Sequence, residues 1–286
     1  MEFQQIGTLQ FVYMIIGLIL FLTVPLVIAL VWKFRKKERF TTILVGAATF
    51  LLFALILEKP IQNVLLFPTA MGLPDHPIAQ FINARPLLLA FLVGLFPGLF
   101  EETGRLVAYL TVLKKRRNRE TSISYGIGHG GFEVILILGL TYFEYIMYAV
   151  MINSGAFAQM VQQVAEVAPD QVEAMTDLAA QLANYSLSDL LLGVSERIFA
   201  VLFHVGASIM VFYALKSNRK FWLYPLAIVI HTIMDFVAGL VLFGVVDIPT
   251  WGLELIIAVI GLSVFFFSYY FLYRVDHDAI SGREKP

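Results

Sequence analysis

Long apolar runs alternate with short clusters of charged residues along the whole chain. Seven of these runs are long enough to cross a bilayer, which takes roughly 17–25 helical residues. They cover residues 10–32, 40–57, 86–113, 121–152, 187–215, 221–246 and 251–273. The pattern predicts an all-α, polytopic membrane protein with about seven transmembrane helices. No separate soluble segment interrupts residues 1–286, so we expect a single membrane domain.

The longest polar connection, residues 153–186, still carries a helical pattern. Its apolar positions recur at steps of three and four residues, which is the period of an amphipathic helix. They are Val161, Val164, Ala168, Val172, Met175, Ala179 and Leu182. Pro169-Asp170 followed by Glu173 is typical of a helix start. We expect one or two amphipathic helices that lie on the outer membrane surface.

Composition narrows the class of protein further. The mean hydropathy is +0.80 and only 14% of the residues are charged, against roughly a quarter in soluble domains. These values exclude a soluble enzyme, a disordered chain and a nucleic-acid-binding protein with a basic surface. The absence of cysteine excludes a thiol nucleophile and cysteine metal ligands. The first apolar run follows Glu2 without any Lys or Arg, so it does not resemble a cleavable signal peptide and should remain as the first span.

Lysine and arginine are concentrated at alternate connections. Five lie in residues 33–39, five in 114–119 and three in 216–220, and the tail contains Arg274, Arg283 and Lys285. The connections on the opposite side contain only Lys59 and Arg85. The positive-inside rule therefore predicts that the N-terminus lies outside and the C-terminus in the cytoplasm. We expect the protein to be integral to the plasma membrane. Binding of anionic lipid is a second explanation for a basic cluster.

Ionisable side chains also lie inside four of the predicted spans, although each of them is costly there. They are Glu101, Glu102 and Arg105 in the third span, His129, Glu133 and Glu144 in the fourth, Glu196, Arg197 and His204 in the fifth, and His231 and Asp235 in the sixth. Most of them lie about 14–22 Å from the basic ends of their helices, at about 1.5 Å per residue. A shared depth on four helices predicts that these groups line one polar cavity.

Spacing within each helix supports this convergence. Pairs that are four residues apart, and therefore share a helix face, are Glu101–Arg105, His129–Glu133 and His231–Asp235. Glu101 and Glu102 are adjacent and point about 100° apart on a helix, so they do not both face one spot. Arg105 can pair with one of these glutamates, which leaves the other to meet the neighbouring helices.

Several protease signatures are absent, including the His-Glu-x-x-His zinc motif and the Gly-x-Ser-x-Gly elbow. Ser208 follows His204 by four residues, but such a pair often arises by chance. The remaining chemistry is a carboxylate pair that faces several imidazoles. A glutamate can take a proton from water while imidazoles and an acid hold the polarised carbonyl. Alternatively, histidines and a carboxylate can bind zinc and leave one position for water.

Four segments in chain order carry a resemblance to a known superfamily. Phe100-Glu101-Glu102-Thr103-Gly104-Arg105 resembles motif one of the type II CAAX prenyl endopeptidases, which is Glu-Glu-x-x-x-Arg or Glu-Glu-x-x-Arg/Lys. Gly128-His129-Gly130-Gly131-Phe132-Glu133 resembles motif two of the YhfC family within that superfamily, Glu196-Arg197 through Phe203-His204 resembles motif three, and His231-Thr232-Ile233-Met234-Asp235 resembles motif four. The CPBP (Abi) proteins, PrsW and the scaffold subunit of gamma-secretase also belong to it. The similarity covers residues 86–240 on four successive helices.

The resemblance implies an intramembrane protease of glutamic or metal-dependent type, acting on a membrane-protein or peptide substrate. It implies Glu101 or Glu102 as the general base and favours Glu101, with Glu102–Arg105 as its support. The implied catalytic set is Glu101, Glu102, Arg105 and Asp235, and the metal set for a divalent ion such as zinc is His129, Glu133, His204 and His231. Motif two offers both His129 and Glu133, and motif four ends in Asp235 rather than Asn. An ionised aspartate is a poor oxyanion donor but can be a ligand or orient a histidine.

Two other classes of protein use similar residues. A proton-coupled transporter also carries acids and histidines at mid-depth, but the sequence has no detectable inverted repeat. A non-catalytic scaffold or receptor subunit does not need the motif-one glutamates, and here both are present. The expected partners are the lipid bilayer and a membrane substrate, with no nucleic acid.

Overall fold

The computed structural model describes residues 2–276, so the tail residues Arg283 and Lys285 lie outside the described residues. Within residues 2–276 every regular element is a helix. Seven helices in that range are long and apolar enough to span a bilayer: Thr8–Lys36, Phe40–Leu66, Pro86–Leu110, Glu120–Ser154, Leu187–Ala214, Asn218–Leu242 and Thr250–Arg274. The predicted all-α class and the number of spans are confirmed. The predicted orientation and the plasma-membrane location stay predictions.

The spans are built from α-helices with wider turns inserted in three places. The α-helices are α1 (Thr8–Lys36), α2 (Phe40–Phe50), α3 (Lys59–Leu66), α4 (Pro77–Asn83), α5 (Pro86–Leu110), α6 (Glu120–Glu133), α7 (Gly139–Ser154), α8 (Ala156–Val167), α9 (Val172–Ala183), α10 (Leu187–Ala214), α11 (Leu223–Leu242) and α12 (Thr250–Ser268). The π-helical turns are Leu51–Glu58, Val134–Leu138 and Tyr269–Arg274, and the 3-10 turns are Pro68–Met71, Pro169–Gln171 and Asn218–Lys220. The second span therefore consists of α2, a π-helical turn and α3.

The second span is longer than the sequence suggests, and its predicted end at residue 57 is wrong. The helix continues through Glu58 and Lys59 as far as Leu66. Glu58 is fully buried, and the Lys59 ammonium lies 3.2 Å from its carboxylate. The Lys59 side chain is 46% exposed, because a long aliphatic stem lets a buried backbone carry an ammonium at the surface. Two adjacent charges therefore sit inside the helix without ending it.

The chain folds as two compact units. The first unit comprises the chain up to residue 27 together with residues 133–195, and the second unit comprises residues 28–132 together with the chain from residue 196 onward. Both units contain parts of the spans. The expectation of a single membrane domain stays a prediction.

The first unit contains the amphipathic segment. It forms two helices, α8 and α9, which are separated at Pro169–Gln171 as the helix-start signal predicts. The apolar residues Val161, Ala179 and Leu182 are buried. Two helices are thus present in this segment, and their amphipathic role on the outer side of the membrane stays a prediction.

In the second unit, α5 packs extensively against α11. The two backbones approach so closely that a Cβ atom on a glycine would meet the opposite main chain at three successive levels: Gly239 against Ala90, Gly94 against Thr232 and Phe236, and Gly98 against Ile228. Small residues allow such contacts between membrane helices. This pairing places the glutamates of α5 beside the histidine of α11.

The glycines of α6 likewise allow close backbone contact with two other helices. A Cβ atom on Gly126 would lie 2.6 Å from the Cα of Val205 on α10. A Cβ atom on Gly128 would overlap the backbone carbonyl of Ile43 on α2. His129 directly follows Gly128 in the sequence, so it is carried by a helix that is in close contact with both α10 and α2.

Candidate functional site

The polar core of the second unit starts on α5, where Glu102 and Arg105 are fully buried. The Nε atom of Arg105 lies 3.2 Å from Oε2 of Glu102, one helical turn away. The predicted pair on one helix is therefore present. An ion pair in the interior needs further hydrogen bonds to offset the loss of hydration, and both partners have them.

Arg105 joins α5 to α10. Its Nη1 donates to the backbone carbonyl of His204 and to the hydroxyl of Ser208, each at 2.7 Å. Its Nη2 lies 3.3 Å from Nδ1 of His204. The Ser208 hydroxyl donates in turn to the His204 carbonyl at 2.6 Å. Ser208 is thus bound to the arginine and the main chain, in a structural arrangement and not that of a nucleophile aimed at an imidazole.

Glu102 also fixes the ring of His231 on α11. Its Oε1 lies 2.9 Å from Nδ1 of His231. An ionised carboxylate has no proton to give, so Nδ1 is the donor, and in the neutral form of the ring Nε2 carries the lone pair. Nε2 lies 3.5 Å from Oδ2 of Asp235, one turn further along α11. The Asp235 side chain is 31% exposed, whereas the His231 side chain is buried.

Glu101 meets the histidines of two other helices. Its Oε2 lies 2.9 Å from Nε2 of His129 on α6 and 4.0 Å from Nδ1 of His204 on α10. The rings of His129 and His204 are neighbours, with centroids 4.9 Å apart. Nδ1 of His129 has no hydrogen-bond partner within residues 2–276. The two adjacent glutamates therefore serve different helices, as their angular separation requires.

Three of these residues form a candidate metal-binding group. Glu101, His204 and His231 are all buried, and each brings one possible ligand atom within 4.8 Å of the others. Two histidines and one glutamate form a known ligand set of catalytic zinc. The group differs from the metal set implied by the sequence resemblance, because it contains Glu101 and does not contain His129.

Glu133 is the sequence-predicted ligand with the least support. It follows His129 by one helical turn, at the end of α6. It belongs to the first unit, whereas the other seven predicted site residues belong to the second. It is also absent from the metal-binding group.

Two further features bear on the site. Glu58, which the sequence analysis placed outside the spans, interacts electrostatically with His231 and Asp235. The sequence feature that could have identified Glu58 as a buried residue is its position directly after an apolar run, but its neighbour Lys59 made it resemble a loop residue. Arg197 pairs with the adjacent Glu196, so these two motif-three residues form a neutralising pair of their own.

Comparison with known proteins identifies the family of this chain. A family model described as YhfC intramembrane metalloprotease matches residues 18–260. The chain belongs to the YhfC family. It is 32% identical over 238 residues to a Bacillus subtilis (strain 168) protein described as "Uncharacterized membrane protein YhfC", across 82% of this chain and 87% of that relative. No solved structure matches the chain. The YhfC match includes all four helices that supply the site, and the predicted membership of the YhfC family is confirmed.

Proposed function

We propose that this YhfC protein is an intramembrane metalloprotease that hydrolyses a peptide bond of a membrane-embedded polypeptide. One observation carries the proposal: the buried donors Glu101, His204 and His231 come from three different helices and converge within 4.8 Å. Ionisable groups are expensive within a membrane protein and usually mark a functional site. The family description supports the same reaction class.

Glu101, His204 and His231 would hold a divalent ion such as zinc. The donor set fits, because catalytic zinc commonly has three protein ligands of this kind and one further position. When bound, such an ion polarises a carbonyl group and increases the acidity of water.

The surrounding residues hold these donors in place. Glu102 accepts the Nδ1 proton of His231 and so directs the Nε2 lone pair away from itself, the relation that carboxylates have to metal-ligating histidines. Arg105 fixes Glu102 and His204 together. In the tautomer that is protonated at Nε2, His129 donates to Oε2 of Glu101 and orients that carboxyl group. Each donor has a partner on another helix, so the geometry is determined before substrate arrives.

Asp235 is the candidate general base. Its Oδ2 lies 3.5 Å from Nε2 of His231. Its side chain is 31% exposed, against 9% for Glu101 and 0% for Glu102. Asp235 can therefore take a proton from a water molecule beside His231 and release that proton at its own exposed surface. This assignment gives Glu101 the role of a ligand and departs from the sequence hypothesis in which Glu101 is the base.

Metal analysis of the purified protein tests the ligand set. We expect about one zinc ion per chain in the wild type and a strong loss in His204→Ala, His231→Ala and Glu101→Gln. The matched control is His76→Asn, which removes an imidazole outside the site and keeps a side chain that can cap α4. Normal zinc content in all three site variants would contradict the metal site.

Proteolysis needs a separate readout, because the substrate is not known in advance. Membranes from cells that produce the wild type or Asp235→Asn are compared for new peptide termini inside apolar segments. We expect such termini only with the wild type, while Asp235→Asn still binds zinc. If Glu101→Gln keeps its zinc and loses proteolysis, Glu101 is the base; if the wild type produces no new termini, the scaffold class replaces the protease.

A further inference from the structure

A second polar site lies at the ends of two spanning helices, apart from the residues of the candidate metal centre. A cavity of about 280 Å³ opens between the C-terminal ends of α5 and α10. Four cationic side chains line it: Lys114, Arg116, Arg117 and Lys216. No acidic residue is among its lining residues within the described chain. The cavity therefore concentrates positive charge in a concave space.

The partners of these cations leave much of that charge uncompensated. Arg116 donates to the neutral hydroxyls of Thr41 and Thr42. Lys114 and Arg117 form no ion pair with any residue from 2 to 276.

Among residues 2–276, Lys216 is the cavity cation that has an ion pair, with Asp276 at 2.6 Å. Burial raises the pKa of the Asp276 carboxyl, but hydrogen bonds from Lys216 and Tyr213 outweigh burial and hold that pKa below its ordinary value. Asp276 therefore stays ionised at neutral pH and, of the four cavity cations, pairs with Lys216. The other three cavity cations have no ion pair within residues 2–276.

The rest of the lining is apolar and aromatic. Leucines and Phe212 form part of the wall, together with Tyr109, the penultimate residue of α5. The cavity thus combines cations with an apolar surface at the end of spanning helices, which is the level at which phospholipid phosphates lie. Arginine and lysine side chains bind phosphate oxygens with charge-assisted hydrogen bonds. A cavity of this size suits a headgroup more than a large ligand.

We propose that this cavity binds a phosphate group, supplied by the headgroup of an anionic phospholipid or by a free phosphate anion. The positive-inside rule accounts for basic residues on this side, but it does not require them to surround a cavity. The Tyr109 hydroxyl donates to the backbone carbonyl of Ser208 at 3.3 Å, so the cavity wall contacts both helices. Occupancy should therefore hold the ends of α5 and α10 together. The proposal stands independently of the proteolytic function.

The test uses the full chain, purified in a zwitterionic detergent and freed of lipid. Phosphatidylglycerol, phosphatidylcholine with the same acyl chains, and inorganic phosphate are added separately, and binding is measured by native mass spectrometry and by the shift in melting temperature. We expect phosphatidylglycerol to bind and to raise the melting temperature, with little effect of phosphatidylcholine. Stabilisation by inorganic phosphate of equal size would identify the free anion as the source.

Two double variants that lose the same charge make the test specific. Lys114→Gln with Arg117→Gln removes two lining cations, and Lys115→Gln with Arg35→Gln removes two exposed cations that do not line the cavity. The first should weaken binding by about thirtyfold, since each basic side chain near an anionic headgroup contributes about a fivefold factor. The second should change binding by about twofold or less at physiological salt.

Equal losses in the two double variants, or equal binding of phosphatidylglycerol and phosphatidylcholine, would overturn the proposal. Melting curves without lipid show whether each variant is folded. The single variant Lys114→Gln, compared with Lys115→Gln, repeats the test if the double variant is not recovered. In that pair, we expect about a fivefold loss for Lys114→Gln, and an equal loss for Lys115→Gln would again contradict the site.

Discussion

The two units bury different kinds of side chain. In the second unit the interior contains glutamates, histidines, an arginine and several hydroxyl groups. In the first unit the buried side chains of the described residues are apolar or those of tyrosines. Both units form parts of membrane-spanning helices, so the contrast does not follow from the surrounding lipid.

The contrast shows what each kind of interior requires. The first unit satisfies its few buried polar groups locally, through the hydroxyl pair of Tyr142 and Tyr185 and through Asn153, which bonds both backbone groups of Ile6. The second unit needs a network in which Arg105 and Glu102 reach two other helices. A unit that requires only stability can pair its buried polar groups locally, as the first unit does. We therefore expect a function in the second unit, where ionisable groups are buried.

The largest expected effect is that of removing the central cation. Arg105→Gln leaves the Glu102 carboxylate buried without the arginine that balances its charge, which costs about 3–5 kcal/mol in the free energy of unfolding. Denaturation with sodium dodecyl sulfate in a mild detergent, followed by circular dichroism, measures this loss. Arg197→Gln is the control, because its pair with Glu196 is partly exposed and should contribute much less.

The double variant Glu102→Gln with Arg105→Gln distinguishes the loss of the ion pair from the cost of an unpaired buried charge. It should lose less stability than the sum of the two single variants, because no unpaired charge remains. A fully additive result would mean that the network does not act as a unit, and the contrast between the two interiors would then lose its energetic meaning.

A smaller effect is expected from packing. In the second unit, Gly98→Ala places a Cβ atom 2.9 Å from the Ile228 carbonyl, which cannot move without shifting α11. In the first unit, Gly139→Ala meets only the end of the Leu22 side chain, which can rotate away. We expect a loss of about 1–3 kcal/mol for Gly98→Ala and little change for Gly139→Ala in the same denaturation assay. Equal losses would show that the two units are packed with the same tolerance.

The smallest effect tests the polar contact of the first unit. Tyr142→Phe removes one hydroxyl of the pair with Tyr185 and should cost about 0.6 kcal/mol, the average for a hydrogen bond between membrane helices. Tyr145→Phe is the matched control, since Tyr145 contacts the same two rings and its hydroxyl has no hydrogen bond within residues 2–276. A loss for Tyr142→Phe as large as that for Arg105→Gln would remove the distinction between the units.

Much of the fold follows from hydropathy, because each span must satisfy its own backbone in lipid. The second span is the instructive failure. Glu58 and Lys59 resemble an interfacial pair in the sequence, and only the tertiary structure shows that the carboxylate is buried while the ammonium reaches the surface. Local charge therefore predicts the number of spans better than it predicts their ends.

The candidate site is predictable to a different extent. The turn spacing of α5 predicts that Arg105 pairs with one glutamate, and the pair with Glu102 is present. The spacing does not say that Glu101 meets His129 or that Glu102 meets His231, because those contacts depend on which helix faces which. Glu133 shares a helix with His129 but belongs to the other unit, a division that the helical period does not reveal.

The close contact of α5 with α11 limits the route by which a polypeptide can reach the histidines. An extended chain needs about 4.8 Å of lateral room, the spacing of neighbouring strands. The backbones of these two helices touch at Gly94, Gly98 and Gly239, so no such gap exists between them. A segment that enters the second unit must therefore pass beside other helices. The contact between α5 and α11 therefore closes this side of the second unit to an extended polypeptide.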